Sequence, residues 1–248
     1  MGYYKSLYTG DSGSGFQVAD IYLYPYSGVE GTCDTGGDVA TALDYAFDQL
    51  LQYGSIDVYN IRKFDIDSYN APDSYVTLES GEITSTFRDY LENHNGTGDN
   101  LYAQVGDHLL VHTDTTACDE DSGGYAPFGA GGEGDAETAF TKGLISFTPV
   151  CSDTSHTQGS AVQEVAHQFI ENEIISDLTG KYDDEHSLGK LVDRNGIGTV
   201  TPLLMYHWDD DDVGEGDCPN ENVLPESHTN LPTLCTKKAV EQTADAEL

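Results

Sequence analysis

Apolar positions along the chain follow two different periods. "FQVADIYLYPY" (Phe16–Tyr26) alternates apolar with polar residues and is rich in β-branched and aromatic types, which predicts a strand. After a glycine-rich turn, "DVATALDYAFDQLLQY" puts Val39, Ala42, Leu43, Ala46, Phe47, Leu50 and Leu51 on one helical face. Asp38 is the predicted N-cap of that helix and Gly54 its stop. "SIDVYNIRKFDI" predicts a second strand, and "ITSTFRDYLENH" a second helix with Phe87 and Leu91 on one side. "DHLLVHTD" (Asp107–Asp114) reads as a short buried strand and "GLISFTPV" (Gly143–Val150) as another. From Ala161 to Ile174 the helical period returns, with Val162, Val165, Ala166, Phe169 and Ile170 on a broad buried face.

This order of elements predicts an α/β (α+β) fold, a mixed sheet with helices packed on it. We divide the chain into an N-terminal α/β subdomain, 1–176, and a smaller irregular C-terminal subdomain, 177–248. In the second part the periodicity gives way to loops, short elements, an acidic "WDDDDVGEGD" and a final short helix around "TKKAVEQTA". No apolar run approaches the roughly 20 residues that span a bilayer, so no membrane span is expected. The opening "MGYYKSLYTGDSGSG" lacks the apolar core of a secretory signal, which fits an intracellular protein or a mature chain whose signal has been removed.

Charge changes the picture. The 248 residues carry 44 acidic side chains against 10 Lys plus Arg, a formal charge of −34. A disordered acidic chain would have few aromatics, yet this one has 16 Tyr and 8 Phe together with clear periodicity. The composition therefore predicts a folded protein of a halophilic organism, its acidic surface hydrated and neutralised by the cations of molar salt. There the screening length falls to about 3 Å. Such a surface excludes nucleic acid as a partner, because phosphate binding needs a basic face.

Five cysteines stand at Cys33, Cys118, Cys151, Cys218 and Cys235, with no C-x-x-C pair. Cys218 and Cys235 bracket a Pro- and Asn-rich loop, and Cys118 and Cys151 flank a Gly-rich segment. Both are plausible disulfides, leaving Cys33 over; five reduced thiols in a cytosolic protein is the other reading.

The most informative stretch is "GSAVQEVAHQFIENEI" (Gly159–Ile174), one letter away from the H-E-x-x-H of zinc-protease helices. Gln163 and His167 are one helical turn apart on the same side, with Glu164 and Glu171 flanking it. Two ligands so placed can share a metal about 2 Å from each. An adjacent glutamate can then deprotonate the bound water as it attacks a carbonyl.

Around this helix, "GDHLLVHTD", "GGYAPFGAGGEG", "GLISFTPV" and "TQGSAVQEVAHQF" follow one another in an order that resembles the metzincin clan of zinc endopeptidases. "TPLLMYH" (Thr201–His207) is similar to the methionine turn of that clan, with Met205 in the methionine role. The resemblance runs from about Phe16 to Trp208 and is specific in the helix and the methionine turn. It implies a mixed twisted sheet with packed helices and an active-site helix, a zinc cofactor, and a peptide or protein substrate. It also implies Glu164 as general base, His167 as a ligand and Met205 as the floor beneath the metal. The chain departs from the family pattern H-E-x-x-H-x-x-G-x-x-H at Gln163, Ile170 and Glu173. Lacking the glycine, the helix is expected to run on to about Asp177. The third ligand is then expected from "DDEHSLG", as His186, ahead of Glu173 or Glu185. Glu171 or His207 would complete the set. Gln163 weakens the metal site, since an amide oxygen is a far poorer zinc ligand than imidazole.

Two functions follow: a zinc metallopeptidase with a degenerate first ligand position, or a catalytically inactive scaffold of the same plan acting as a binding or structural protein. The expected location is extracellular or at the cell surface, the alternative being the cytoplasm of a halophile that accumulates salt.

Other candidates are weaker. His108 and His112 lie about 13 Å apart along a strand, too far to share a metal, and are expected to be exposed or at the core edge. Asp209–Asp212 with Glu215 and Asp217, and "DEDSGG" at Asp119–Gly124, lack calcium-loop spacing and read as solvated acidic loops. No G-x-S-x-G elbow or phosphate-binding G-x-x-x-x-G-K-[ST] is present.

Overall fold

The computed structural model describes residues 2–8, 17–25, 29–33, 37–64, 82–93, 100–112, 138–151, 154–179, 185–204 and 225–247. Five strands form the main sheet: β1 (Gly2–Tyr8), β2 (Val18–Pro25), β3 (Val58–Lys63), β4 (Gly106–His112) and β5 (Gly143–Pro149), in the order β1-β3-β2-β4-β5. Strands β3, β2, β4 and β5 are parallel, and β1 closes the edge antiparallel to β3. The α/β reading of the sequence is thus met.

Helix α1 (Asp38–Tyr53) connects β2 to β3, and α2 (Glu82–Asn93) lies between β3 and β4 in the chain. The two helices serve opposite faces of the sheet. Ala19, Ile21 and Leu23 of β2 join α1 in the larger apolar cluster, whereas Tyr22 and Tyr24 join Phe87 and Leu91 of α2 in the smaller one. With both faces covered, the alternation seen in the sequence separates two cores rather than a core from solvent.

Helix α1 begins at Asp38 with Gly37 in the cap position, so Asp38 is the first helical residue and not the N-cap. There its carboxylate still favours the positive end of the helix dipole. Gly54 ends the helix as expected, with φ 92° and its N–H bonded to the Leu50 and Leu51 carbonyls. Gly106 opens β4 at φ 131°, where a Cβ would lie 2.4 Å from the Asp20 carbonyl oxygen. Close packing of β4 on β2 needs glycine there.

Helix α3 (Thr154–His167) follows β5, and then come α4 (Asn172–Thr179), a 3-10 helix at Glu185–Leu188 and the small sheet β6 (Leu191–Arg194), β7 (Ile197–Val200) and β8 (Pro225–His228). Helix α5 (Leu234–Ala246) packs on α4 and α1. The larger cluster draws Leu188, Leu203, Cys235, Ala239 and Val240 from the stretch after residue 177 into the same core as α1 and α3.

The helix carrying Gln163 and His167 is shorter than expected. It ends at His167, and a separate helix starts at Asn172. Tertiary packing, and no glycine, ends α3. Phe169 is fully buried between Phe47 and Phe140, with ring centroids 5.5 and 5.1 Å away. Reaching that pocket tightens the chain into 3-10-type bonds, Gln168 N–H to Val165 O and Phe169 N–H to Ala166 O. Ala139 N–H caps the Gln168 carbonyl and Thr243 Oγ1 accepts from Glu171 N–H at 3.0 Å, which fixes the turn.

Candidate metal centre

Helix α3 runs back along β5. Thr157 Oγ1 accepts from Cys151 N–H at 2.8 Å just after the strand, and Gln168 Nε2 donates to the Ile145 carbonyl at 3.2 Å at its far end. Between these two pins the helix places Gln163, Glu164 and His167, all more than nine-tenths buried. His167 sits in the last turn, where the partial negative charge of the helix C-terminus favours a cation.

His186 arrives from the 3-10 helix Glu185–Leu188. Its ring lies 5.0 Å from that of His167, nearly perpendicular at 82°, and its Nε2 is 3.4 Å from the Gln163 amide nitrogen. Three of the residues singled out in the sequence, Gln163, His167 and His186, thus meet across 23 residues of chain. The turn that delivers His186 is held from α5: Thr233 Oγ1 and Thr236 Oγ1 both donate to the Leu188 carbonyl, at 2.6 and 3.2 Å. The 3-10 helix Pro202–Leu204 packs on α3 and on Glu185–Leu188.

The donor set is two imidazoles and one amide. The buried amide oxygen of Gln163 has no hydrogen-bond partner among the described residues. A half-turn of the amide would exchange its two ends and bring that acceptor toward the imidazoles. By donor type the set suits a divalent cation, and more weakly than three imidazoles would. Among the described residues no group of three or more His, Cys, Asp and Glu side chains is placed to hold a metal, so Gln163 is the third donor in view. Glu173 is exposed on α4. Glu171 lies beyond the turn, its carboxyl pushed up by partial burial and by Glu247 and Glu173.

Met205, His207, Cys118, Cys218 and both acidic loops lie outside the described residues, as does the side chain of Glu185. Cys151 and Cys235 are each disulfide-bonded, and Cys33 is a buried thiol.

His108 and His112 correct an expectation. Neither is exposed or at the core edge, because α2 and the 3-10 helix Leu101–Ala103 cover that face of the sheet. His108 stacks on Tyr22 at 4.8 Å. Its Nε2 is 3.1 Å from the Gln104 carbonyl and its Nδ1 2.9 Å from the Tyr24 hydroxyl. A carbonyl only accepts, so Nε2 carries the proton and Tyr24 donates to Nδ1. Burial pushes its pKa down to about 4.

One group near the site had been missed. Asp107, on β4, is fully buried and accepts from Ser146 Oγ of β5 at 2.6 Å. Desolvation pushes its carboxyl well above the usual range; the Ser146 bond opposes the shift and the nearby Glu164 charge adds to it. The signal was available as polar letters on otherwise apolar strands, Asp107 in "DHLLVH" and Ser146 and Thr148 in "LISFT".

No protein-family model matches the chain, and no curated protein or solved structure does so either. Among the described residues no helix is long and apolar enough to cross a membrane.

Proposed function

We propose that this chain is a zinc-metallopeptidase-like protein that cleaves peptide bonds by metal-activated water at Gln163, Glu164, His167 and His186. The observation that carries the reading is the edge-on approach of His186 to His167 beside the Gln163 amide. The order of central strand, β5 and site helix supports the metzincin resemblance, as does the 3-10 helix that packs on α3 just before Met205.

His167 and His186 would hold the metal, with the Gln163 amide as a weak third donor. Zinc bound there would supply Lewis acidity and a more acidic water. Glu164, one residue after Gln163 on the same helix, takes the proton of the attacking water and returns it to the leaving amine. Met205 is assigned to the floor of the site. The disulfide bonding of Cys151 and Cys235 supports an extracellular or cell-surface location, and the −34 charge supports a setting of high salt.

Gln163 also favours a second reading, a non-catalytic scaffold that binds a partner through the same fold. Zinc analysis after dialysis, on protein folded in high salt, decides between them. The enzyme retains stoichiometric zinc and loses it in His167→Ala and His186→Ala. A wild-type chain that holds no zinc, while Gln163→His holds zinc and hydrolyses casein, establishes the inactive scaffold. Zinc bound by neither would end both versions of the metal site.

A further inference from the structure

The interface between β5 and α3 is polar where a packed core should be apolar. Thr157, Ser160, Glu164 and Gln168 recur at helical spacing, and Ser146 and Thr148 recur at strand spacing with Asp107 beside them. Every one of these side chains is buried. The two bonds at Thr157 and Gln168 fix the register of helix on strand, which sets Ser160 and Glu164 over the stretch of β5 that contains Ser146 and Thr148. Along this seam Asp107 Oδ1, Thr148 Oγ1, Ser160 Oγ and Gln168 Oε1 have no hydrogen-bond partner among the described residues. Buried polar atoms are satisfied in nine cases out of ten or more, so four in one seam point to an occupant.

We infer that the β5–α3 seam binds a short file of internal waters, held by Asp107, Thr148, Ser160 and Gln168. Water fits the spacing and a single cation does not. Asp107 is tied to Ser146, and Ser146 and Thr148 are about 7 Å apart by the strand rise. Ligands of one bound cation, each within about 2.6 Å of it, lie no more than about 5 Å from one another. Waters about 2.8 Å apart can bridge the longer span, each using the unpartnered atoms and its neighbouring water as the polar partners that an internal water needs. The file runs behind Glu164, whose charge Asp107 senses. The inference does not depend on whether the site binds metal.

Thr148→Val and Ser160→Ala give a test by sign. If the hydroxyls hold waters, each substitution raises the unfolding equilibrium constant by roughly five- to tenfold in denaturant titrations at constant molar KCl. The double variant then falls short of the product, because both changes strip the same waters. If the hydroxyls are dry and unsatisfied, removing them leaves stability unchanged or raises it, and the proposal fails. A crystal structure at high resolution gives a direct check: waters within hydrogen-bond distance of the four atoms are expected, and a dry seam overturns the file. Stability that changes between KCl, NaCl and CsCl at equal concentration, and loses that dependence in Thr148→Val, would assign a cation instead.

Discussion

His108 and His167 are both buried histidines, on opposite sides of one sheet, and their surroundings differ in kind. His108 is enclosed by Tyr22, Tyr24 and Tyr102, with both ring nitrogens directed at protein groups at ordinary hydrogen-bond distances. His167 meets a second imidazole edge-on, brought from another part of the chain and next to an amide whose oxygen has no partner among the described residues. The first arrangement spends the histidine on structure. The second brings two imidazoles and an amide side by side from separate parts of the chain. Burial alone therefore does not separate a core histidine from a candidate ligand; the partners of the ring do.

The comparison can be broken most severely by exchanging the roles. His108→Ala is expected to cost about 3 kcal/mol or more of stability, from a cavity and a stranded Tyr24 hydroxyl, while zinc retention stays unchanged. His186→Ala should do the reverse, abolishing zinc retention at a smaller cost in stability. Equilibrium unfolding and metal analysis of both variants check this, and loss of zinc in His108→Ala would undo the distinction.

A pH titration tests the same contrast. His108 has a folded pKa of about 4 against 6.5 for an ordinary histidine. Below pH 6.5 the unfolded chain takes up a proton that the folded chain refuses. The contribution of neutral His108 is therefore complete above pH 6.5 and is lost as pH falls toward 4, by about 3 kcal/mol. Many carboxylates titrate nearby, so the effect is read as the difference between wild type and His108→Gln. Parallel curves for the two proteins over that window would contradict it.

Gln163→His sharpens the comparison from the other side. It should tighten zinc at least about tenfold, or about 1.4 kcal/mol, in competition with a chelator. No gain would mean that the helix does not aim position 163 at the metal. The smallest effect expected is that of Tyr24→Phe, which removes one donor to His108 and should cost about 1 kcal/mol without touching metal affinity.

Much of this was legible in the sequence. The parallel strands and α1, α2 and α5 announce themselves through period and turn residues, because each buries a regular face. His186 could be paired with His167 through the metzincin resemblance, which implies a third ligand after the site helix, where "DDEHSLG" offers a histidine. The end of α3 could not be read, since it depends on Phe169 finding Phe47 and Phe140, distant in the chain. β1 and the β6–β8 sheet were missed because short strands carry too few residues to show a period. Asp107 acquired meaning only when β4 was seen to lie beside β5 and beneath Glu164.

The anchoring of both halves of the site by α5 has a consequence for synthesis. Thr243 holds the turn after His167, and Thr233 and Thr236 hold the turn that delivers His186. A growing chain exposes His167 and His186 well before residues 233–243 have left the ribosome. Until then the packing of Pro202–Leu204 on α3 and on Glu185–Leu188 is in place, but the bonds from α5 to both turns are not. A chain stalled before α5 would therefore carry both turns without their C-terminal anchors, so truncation before residue 233 is expected to loosen the site even though every one of its own residues is present.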